Sequence, residues 1–295
     1  SKRLSHGVSF VAGYTYGHGL DNGSLNRFGL LPQNPNNPGG EYGNSDFDVR
    51  HRLTLTGTYN IPGIKGFAQV LEGWQLNGIL TLQSSQPWVV NDYGNDFSGV
   101  GDSSDRWDFF GNPGDFKGTQ NSIPYCTSGG LGGCTTTDGV YGVVTKMSAS
   151  QSTSMWNQCT TINAAHPTTT QLVGVGCYAS GSSVMLAPAN GTFGTMGRNI
   201  FRDSGFKNVD FSVFKNFKYK ERYSAQFRLE VFNVLNKPVI ANPYGASNGS
   251  SGGNNDPSAS SFFGGAIGTP DFIAGNPVVG SGSNRDVQVG LKLQF

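Results

Sequence analysis

Six segments of the chain alternate apolar and polar residues with the two-residue period of a β-strand. Near 7–18, "HGVSFVAGYTYG" places Val8, Phe10, Ala12, Tyr14 and Tyr16 on one face. Near 47–61, "FDVRHRLTLTGTYNIP" sets Val49, Leu53, Leu55, Tyr59 and Ile61 against Asp48, Arg50, Arg52, Thr54, Thr56 and Thr58. Near 72–85, Trp74, Leu76, Leu80 and Leu82 oppose Gln75, Asn77, Thr81 and Gln83. Near 207–219, Val209, Phe211, Val213, Phe217 and Tyr219 oppose Asp210, Ser212, Asn216 and Lys218. Near 223–235, Tyr223, Ala225, Phe227, Leu229 and Val231 oppose Ser224, Gln226, Arg228 and Glu230. The last segment, 285–295, carries Val287, Val289, Leu291, Leu293 and Phe295 between Gln288, Gly290, Lys292 and Gln294. A soluble antiparallel sheet also alternates, so the pattern alone does not choose between water and lipid.

The connections narrow the choice. Long stretches rich in Gly, Asn and Ser follow the first, third and fifth segments, the longest being 86–205. Short ones follow the second and fourth, the shorter being Lys220, Glu221 and Arg222. Compact soluble domains rarely carry loops this long. Outer-membrane barrels have long external loops and short periplasmic turns, which would put Phe295 at the periplasmic end. The fold expected is all-β, an antiparallel meander of about six transmembrane strands. Phe10, Leu53, Leu55, Leu76, Leu80, Phe211, Phe227, Leu229 and Leu291 should then face lipid.

The three-residue turn also predicts a register. Matching faces pairs Tyr219 with Tyr223, Phe217 with Ala225, Val213 with Leu229 and Phe214 with Arg228. Phe214 breaks the polar face and Lys215 breaks the apolar one. Either Arg228 covers Phe214 while Lys215 snorkels to the periplasmic headgroups, or a β-bulge shifts the pairing here.

Composition fits a β-rich protein with long polar loops. Charged residues make up 13% of the chain and aromatics 12%, with 44 Gly. The net charge of +1 excludes nucleic acid as the main partner, because phosphate binding needs a basic surplus. No apolar run is long enough for a transmembrane helix, and no HExxH, GxSxG or GxGxxG motif suggests an enzyme.

"GFKNVDFSVFKNFKY", "AQFRLEVFNVLNKPV" and the terminal "VQVGLKLQF" resemble the C-terminal barrel region of TonB-dependent receptors. "FDVRHRLTLTGTYNIP" is similar to the Oar-like subgroup, which carries a carboxypeptidase-regulatory-like domain. Gln288, Gly290, Leu293 and Phe295 resemble the C-terminal signal of outer-membrane proteins, although Leu293 stands where an aromatic is common. The resemblance implies that the barrel-assembly machinery reads Phe295. It also implies a barrel of about 22 strands, of which residues 1–295 are an incomplete C-terminal portion lacking plug and TonB box. The function it implies is active uptake of a scarce nutrient, such as a metal chelate, vitamin or glycan, energised through TonB and set in outer-membrane lipid.

Other residues add candidate chemistry. Cys126, Cys134, Cys159 and Cys177 lie in the long loop without CxxC spacing, which speaks against zinc. Four cysteines allow three pairings, and loop closure favours Cys126–Cys134 with Cys159–Cys177. Asp92, Asp96, Asp102, Asp105 and Asp108 form an acidic cluster, a calcium candidate without EF-hand spacing, or a solvated polar turn. His6, His18, His51 and His166 are scattered. Asp48, Arg50, Arg52, Asp210, Arg228, Glu230 and Lys292 are expected inside the barrel, paired with one another. No cofactor is implied. The competing functional class is a surface adhesion or self-assembling β protein whose long loops bind partners; a soluble β-sandwich is the third.

Overall fold

The computed structural model describes residues 2–24, 32–64, 69–101, 104–127, 133–166, 171–202, 205–219, 223–240, 243, 254–258, 262–267 and 284–295. Seven strands form one antiparallel sheet in sequence order: β1 (Lys2–Ser5), β2 (Val8–Tyr16), β3 (His51–Asn60), β4 (Trp74–Gln83), β5 (Phe206–Tyr219), β6 (Tyr223–Phe232) and β7 (Asp286–Gln294). The sheet is open, with β1 and β7 at its two edges. No described helix is long and apolar enough to cross a membrane, which leaves crossing by strands untouched.

Strand β1 escapes the alternation rule because it is only four residues long and begins with Lys2 and Arg3. It joins β2 through a tight turn in which His6 and Gly7 both take positive φ, 51° and 79°. That geometry suits a two-residue hairpin. Gly7 is required there, since a Cβ would sit 2.4 Å from the Asn60 carbonyl oxygen.

The register gives the sheet two unlike faces. Val8, Tyr59, Leu76, Val213, Leu229 and Val289 form one unbroken apolar row across six strands. Ser9, Thr58, Asn77, Ser212, Glu230 and Gln288 form a polar row on the other face. The apolar face is bare: Phe10 is 47% exposed, Phe227 41% and Leu291 68%. Leu55 and Phe211 are exposed too, while Leu53, Leu76, Leu80 and Leu229 are half-buried among their neighbours. Soluble monomers rarely leave so large an apolar surface in water. Among the described residues no second layer forms a closed core against it, as the sandwich alternative requires.

The β5–β6 ladder runs without a bulge and pairs Tyr219 with Tyr223, Phe217 with Ala225, Val213 with Leu229 and Phe214 with Arg228. The Arg228 guanidinium lies 5.1 Å from the Phe214 ring centre and donates to Gln226 Oε1 at 2.5 Å. Of the residues expected to pair with one another, Asp48 and Arg50 do so at 2.9 Å, whereas among the described residues no ion pair joins Asp210, Arg228, Glu230 and Lys292, which corrects the expectation for these four. Asp210 instead accepts from the Asn233 amide at 2.9 Å. Lys215 needs a second correction. It does not snorkel; it is 3% exposed. Its Nζ donates to the carbonyls of Gln69, Val70 and Glu72, because residues 69–72 fold back over the apolar face.

The three short connections, the His6–Gly7 turn, 61–73 and 220–222, leave one end of the sheet. The three long ones, 17–50, 84–205 and 233–285, leave the other. Residues 84–205 are far from an irregular loop. They carry a second, six-stranded sheet in the order Val144–Lys146, Cys134–Thr137, Tyr125–Cys126, Cys177–Ser180, Ser183–Leu186 and Asp108–Phe110. Helix α1 (Ala149–Ala165) packs on it. We call this ordered body the cap.

A candidate recognition cap at the long-loop end

The cap has the interior that the large sheet lacks. Trp88, Trp107, Phe116, Tyr178, Phe201 and Phe263 are at most 1% exposed and share one cluster. Their rings meet at aromatic-pair distances: Phe109–Phe201 at 5.0 Å, Trp107–Tyr178 at 5.5 Å and Tyr178–Phe263 at 4.5 Å. Two of the buried polar tips are paired, whereas Trp88 Nε1 has no partner among the described residues. Trp107 Nε1 donates to Asp92 Oδ2 at 2.8 Å, and the Tyr178 hydroxyl donates to the Pro257 carbonyl at 2.7 Å. Burial pushes the Tyr178 hydroxyl far above the ordinary tyrosine range. Phe263 and Pro257 come from the last long connection, so that segment completes the cap core.

A second cluster sits under α1, whose start is fixed by a Ser148–Gln151 capping box. Cys126 is bonded to Cys134 and Cys159 to Cys177, with Cα separations of 4.1 and 6.5 Å. The first bridge ties neighbouring strands, and the second ties the helix to the sheet. Leu172, Ala179, Val184 and Leu186 pack around them.

The first long connection is latched to the cap by ion pairs. Arg106 donates to both Glu41 oxygens, at 2.6 and 2.9 Å, with side chains only 5% and 7% exposed. Gln33 reinforces this: its amide donates to the Gly194 carbonyl at 2.9 Å and its oxygen accepts from the Arg106 amide at 2.7 Å. Arg198 pairs with Asp21 and donates to the Glu41 carbonyl. Asn44 and Asn199 each donate to the other's backbone carbonyl, at 3.0 and 2.8 Å. Arg202 pairs with Asp48, which also accepts from Arg50 Nε at 2.9 Å. Asp48 and Arg50 therefore precede β3 and anchor the cap, instead of lining the barrel as their alternation suggested. Arg52 stays in the sheet, opposite Thr15 and Gln83.

The electrostatics follow the latch. Burial works against the Asp21 charge, but hydrogen bonds from Ser24, Ser45 and Arg198 outweigh it and hold the carboxyl at about 2. Asp48 is likewise held below the usual range: burial opposes ionisation, and bonds from Arg50, Arg202 and the Gly19 amide prevail. Asp108 is raised by burial, against the opposing bond from the Thr195 amide.

The backbones of Asp92 and Asp105 are bridged and Asp96 and Asp105 both bind Ser98, but the carboxylates are taken up by loop hydrogen bonds. Asp92 accepts from the Gly94 and Asn95 amides, Asp96 from Gly99 and Gly101, Asp105 from Ser98, and Asp108 from Thr195. Each closes its own piece of loop. Asp102 lies outside the described residues, and among those described no group of three acidic, His or Cys side chains is placed to hold a metal. His18 accepts from Arg50, His51 bonds the Tyr14 hydroxyl, and His166 stacks on Phe110. Gln288 and Gly290 lie in polar rows of the sheet, whereas Leu293 is 61% and Phe295 90% exposed.

A small cavity of about 90 Å³ lies where the loops meet, between Pro32, Pro38, Glu41, Val89, Arg106 and Arg198. It has room for about three waters, and its arginines already have carboxylate partners. Outward, the hairpin 138–146 carries Val140, Tyr141, Val143 and Val144, with Tyr141 84% exposed. Asp138 Oδ1 braces the turn by accepting from the Val140 and Tyr141 amides.

An open antiparallel sheet, bare and apolar on one face and polar on the other, with every long connection at one end, is the architecture of a membrane-spanning β-sheet. A family model described as an outer membrane beta barrel domain matches residues 1–266. The chain belongs to that family, and its place is the bacterial outer membrane. No curated protein and no solved structure matches it.

Proposed function

We propose that this chain is an arc of the barrel of a TonB-dependent receptor of the Oar-like group, and that the cap is its ligand-facing part. The observation that carries the proposal is the construction of the long-loop end. Three connections far apart in sequence are fused by one aromatic core and by buried ion pairs into a rigid surface above the sheet. A wall of seven strands with both edges unpaired needs further strands to close. The amide- and hydroxyl-rich inner face suits a water-filled or plugged lumen. The exposed Leu293 and Phe295 suit capture by the barrel-assembly machinery. The ligand class proposed is a scarce metal chelate, vitamin or glycan.

The test is uptake in the native cell. Deleting the protein, or removing TonB, should abolish growth on one limiting nutrient of these classes, and restoring the gene should rescue it. The exposed Tyr141 hairpin favours a second reading, adhesion. Unchanged growth on every such nutrient, with surface attachment lost in Tyr141→Ser, would replace transport with that reading.

A further inference from the structure

A lysine stands on the apolar face of the sheet at its long-loop end. On β5, the register places Lys207 opposite Leu82. Leu82 pairs with Leu53, and Leu53 with Tyr14. Tyr14, Leu53, Leu82 and Lys207 therefore form a row on the same face as the apolar row Ala12, Leu55, Leu80 and Val209, two residues further along each strand. Lys207 is exposed, and its ammonium has no partner among the described residues.

Its depth follows from the strand. Lys207 and Phe217 lie on the same face of β5, ten residues apart. At about 3.4 Å per residue and a strand tilt of about 40°, they differ in depth by about 25 Å. That is the height of the apolar band in outer-membrane barrels. With Phe217 at one border of the hydrocarbon, Lys207 reaches the headgroups at the other. Tyr14 and Tyr16, both exposed, mark the same level as an interface belt, and the His51 ring lies 5.2 Å from that of Tyr16.

Arg285 adds a second cation. It enters β7 at the same end of the sheet, two strands from β5 and so about 10 Å across it. It too is exposed, and its guanidinium has no partner among the described residues. The contrast with the cap is direct: Arg106 and Arg198 are paired with carboxylates, whereas Lys207 and Arg285 are left for an anion from outside.

We propose that Lys207, with Arg285, holds the phosphate of a glycolipid in the outer leaflet. Short turns mark the periplasmic end in barrels of this class, so the opposite end meets the outer leaflet, which this membrane builds from phosphorylated, acylated sugars. A lysine can lay its methylenes along the apolar face and set its ammonium among those phosphates. The inference rests on the outer-membrane placement of the sheet and is independent of the transport reading.

The test uses the intact protein in phosphatidylcholine nanodiscs that contain a small share of bisphosphorylated lipid A. Native mass spectrometry counts the lipid A that stays on the protein after detergent extraction. Retention should be about tenfold lower when the probe is lipid A stripped of its phosphates. This arm uses the unaltered protein, so it reads the phosphate without disturbing the fold. The double variant Lys207→Gln, Arg285→Gln should lower retention of the phosphorylated probe by a similar factor. Lys292→Gln removes a cation from the polar face of β7, opposite Gln226, and should leave retention unchanged. An equal share of phosphatidylglycerol should not displace the lipid A. Full retention of the stripped probe, full retention by the double variant, an equal loss in Lys292→Gln, or displacement by phosphatidylglycerol would each overturn the proposal.

Discussion

The large sheet and the cap solve opposite problems with the same alphabet. In the cap, Trp107 is 0% exposed and its one polar atom is bonded to Asp92. In the sheet, Leu291 is 68% exposed and its strand has no second layer to pack on. The cap buries apolar groups away from water and pairs the Asp21, Glu41 and Asp48 carboxylates of the latch with arginines. The sheet turns its apolar groups outward, because its solvent on that side is hydrocarbon and its backbone is satisfied by neighbouring strands. A substitution should therefore have different consequences in the two regions, and this difference can be tested.

The largest effect is expected at Trp107. Trp107→Ala removes a fully buried ring and takes one hydrogen bond from Asp92, costing the cap about 3–5 kcal/mol. Denaturant melts followed by near-ultraviolet circular dichroism should show the cap unfolding early while the strand signal in the far ultraviolet persists. Arg106→Leu comes next. It strands the Glu41 carboxylate, whose side chain is only 7% exposed, at a cost of about 3–5 kcal/mol, whereas adding Glu41→Leu should restore much of the loss. If the single and double variants lose equally, the pair is not the latch.

The sheet is probed by adjacent residues of β7. Val289→Arg places a cation in lipid and should cost about 2–4 kcal/mol at mid-depth. Gln288→Arg, on the polar face, should change little. Equal penalties in a refolding assay would remove the distinction between the faces.

The smallest effect is that of pH. Asp21 titrates at about 2 in the folded cap, against its ordinary 3.8. Its folded value is depressed, so its contribution is complete above about pH 4 and disappears as pH falls towards 2. Asp48 is depressed too and acts in the same direction. Asp105 and Asp108 are raised, both chiefly by burial, so their strain at neutral pH is relieved on mild acidification. Cap stability should therefore rise slightly below neutrality and then fall between about pH 4 and 2. Tryptophan fluorescence can follow this, since Trp88, Trp107 and Trp156 all lie in the 84–205 insertion.

The sheet was legible in the sequence because a strand's evidence is local. Alternation identified six of the seven strands, and the Lys220–Arg222 turn fixed the β5–β6 register through parity alone. β1 was missed because four residues with two leading charges cannot display a period. Asp48 and Arg50 were misplaced because the alternation of β3 continues backwards past the point where pairing stops at His51. The cap was not legible, because nothing periodic joins Trp88 to Phe263 or Arg106 to Glu41. Its contacts are made between distant segments, and its core residues sit among Gly and Ser in stretches that read as loop. Lys215 was recognised as an exception, but its carbonyl partners belong to a turn whose path the sequence does not specify.

The central claim is that the apolar face of the sheet lies in lipid while the cap stands in water. Nitroxide labels placed one at a time from Val287 to Leu293, with others at Tyr141 and Val173, test it most directly. Collision with oxygen reports hydrocarbon, and collision with a water-soluble nickel chelate reports solvent. The account predicts oxygen maxima at Val287, Val289, Leu291 and Leu293, minima at the residues between them, and high nickel accessibility at Tyr141 and Val173. A β7 scan without that alternation, or nickel accessibility as high at Val289 as at Tyr141, would contradict it.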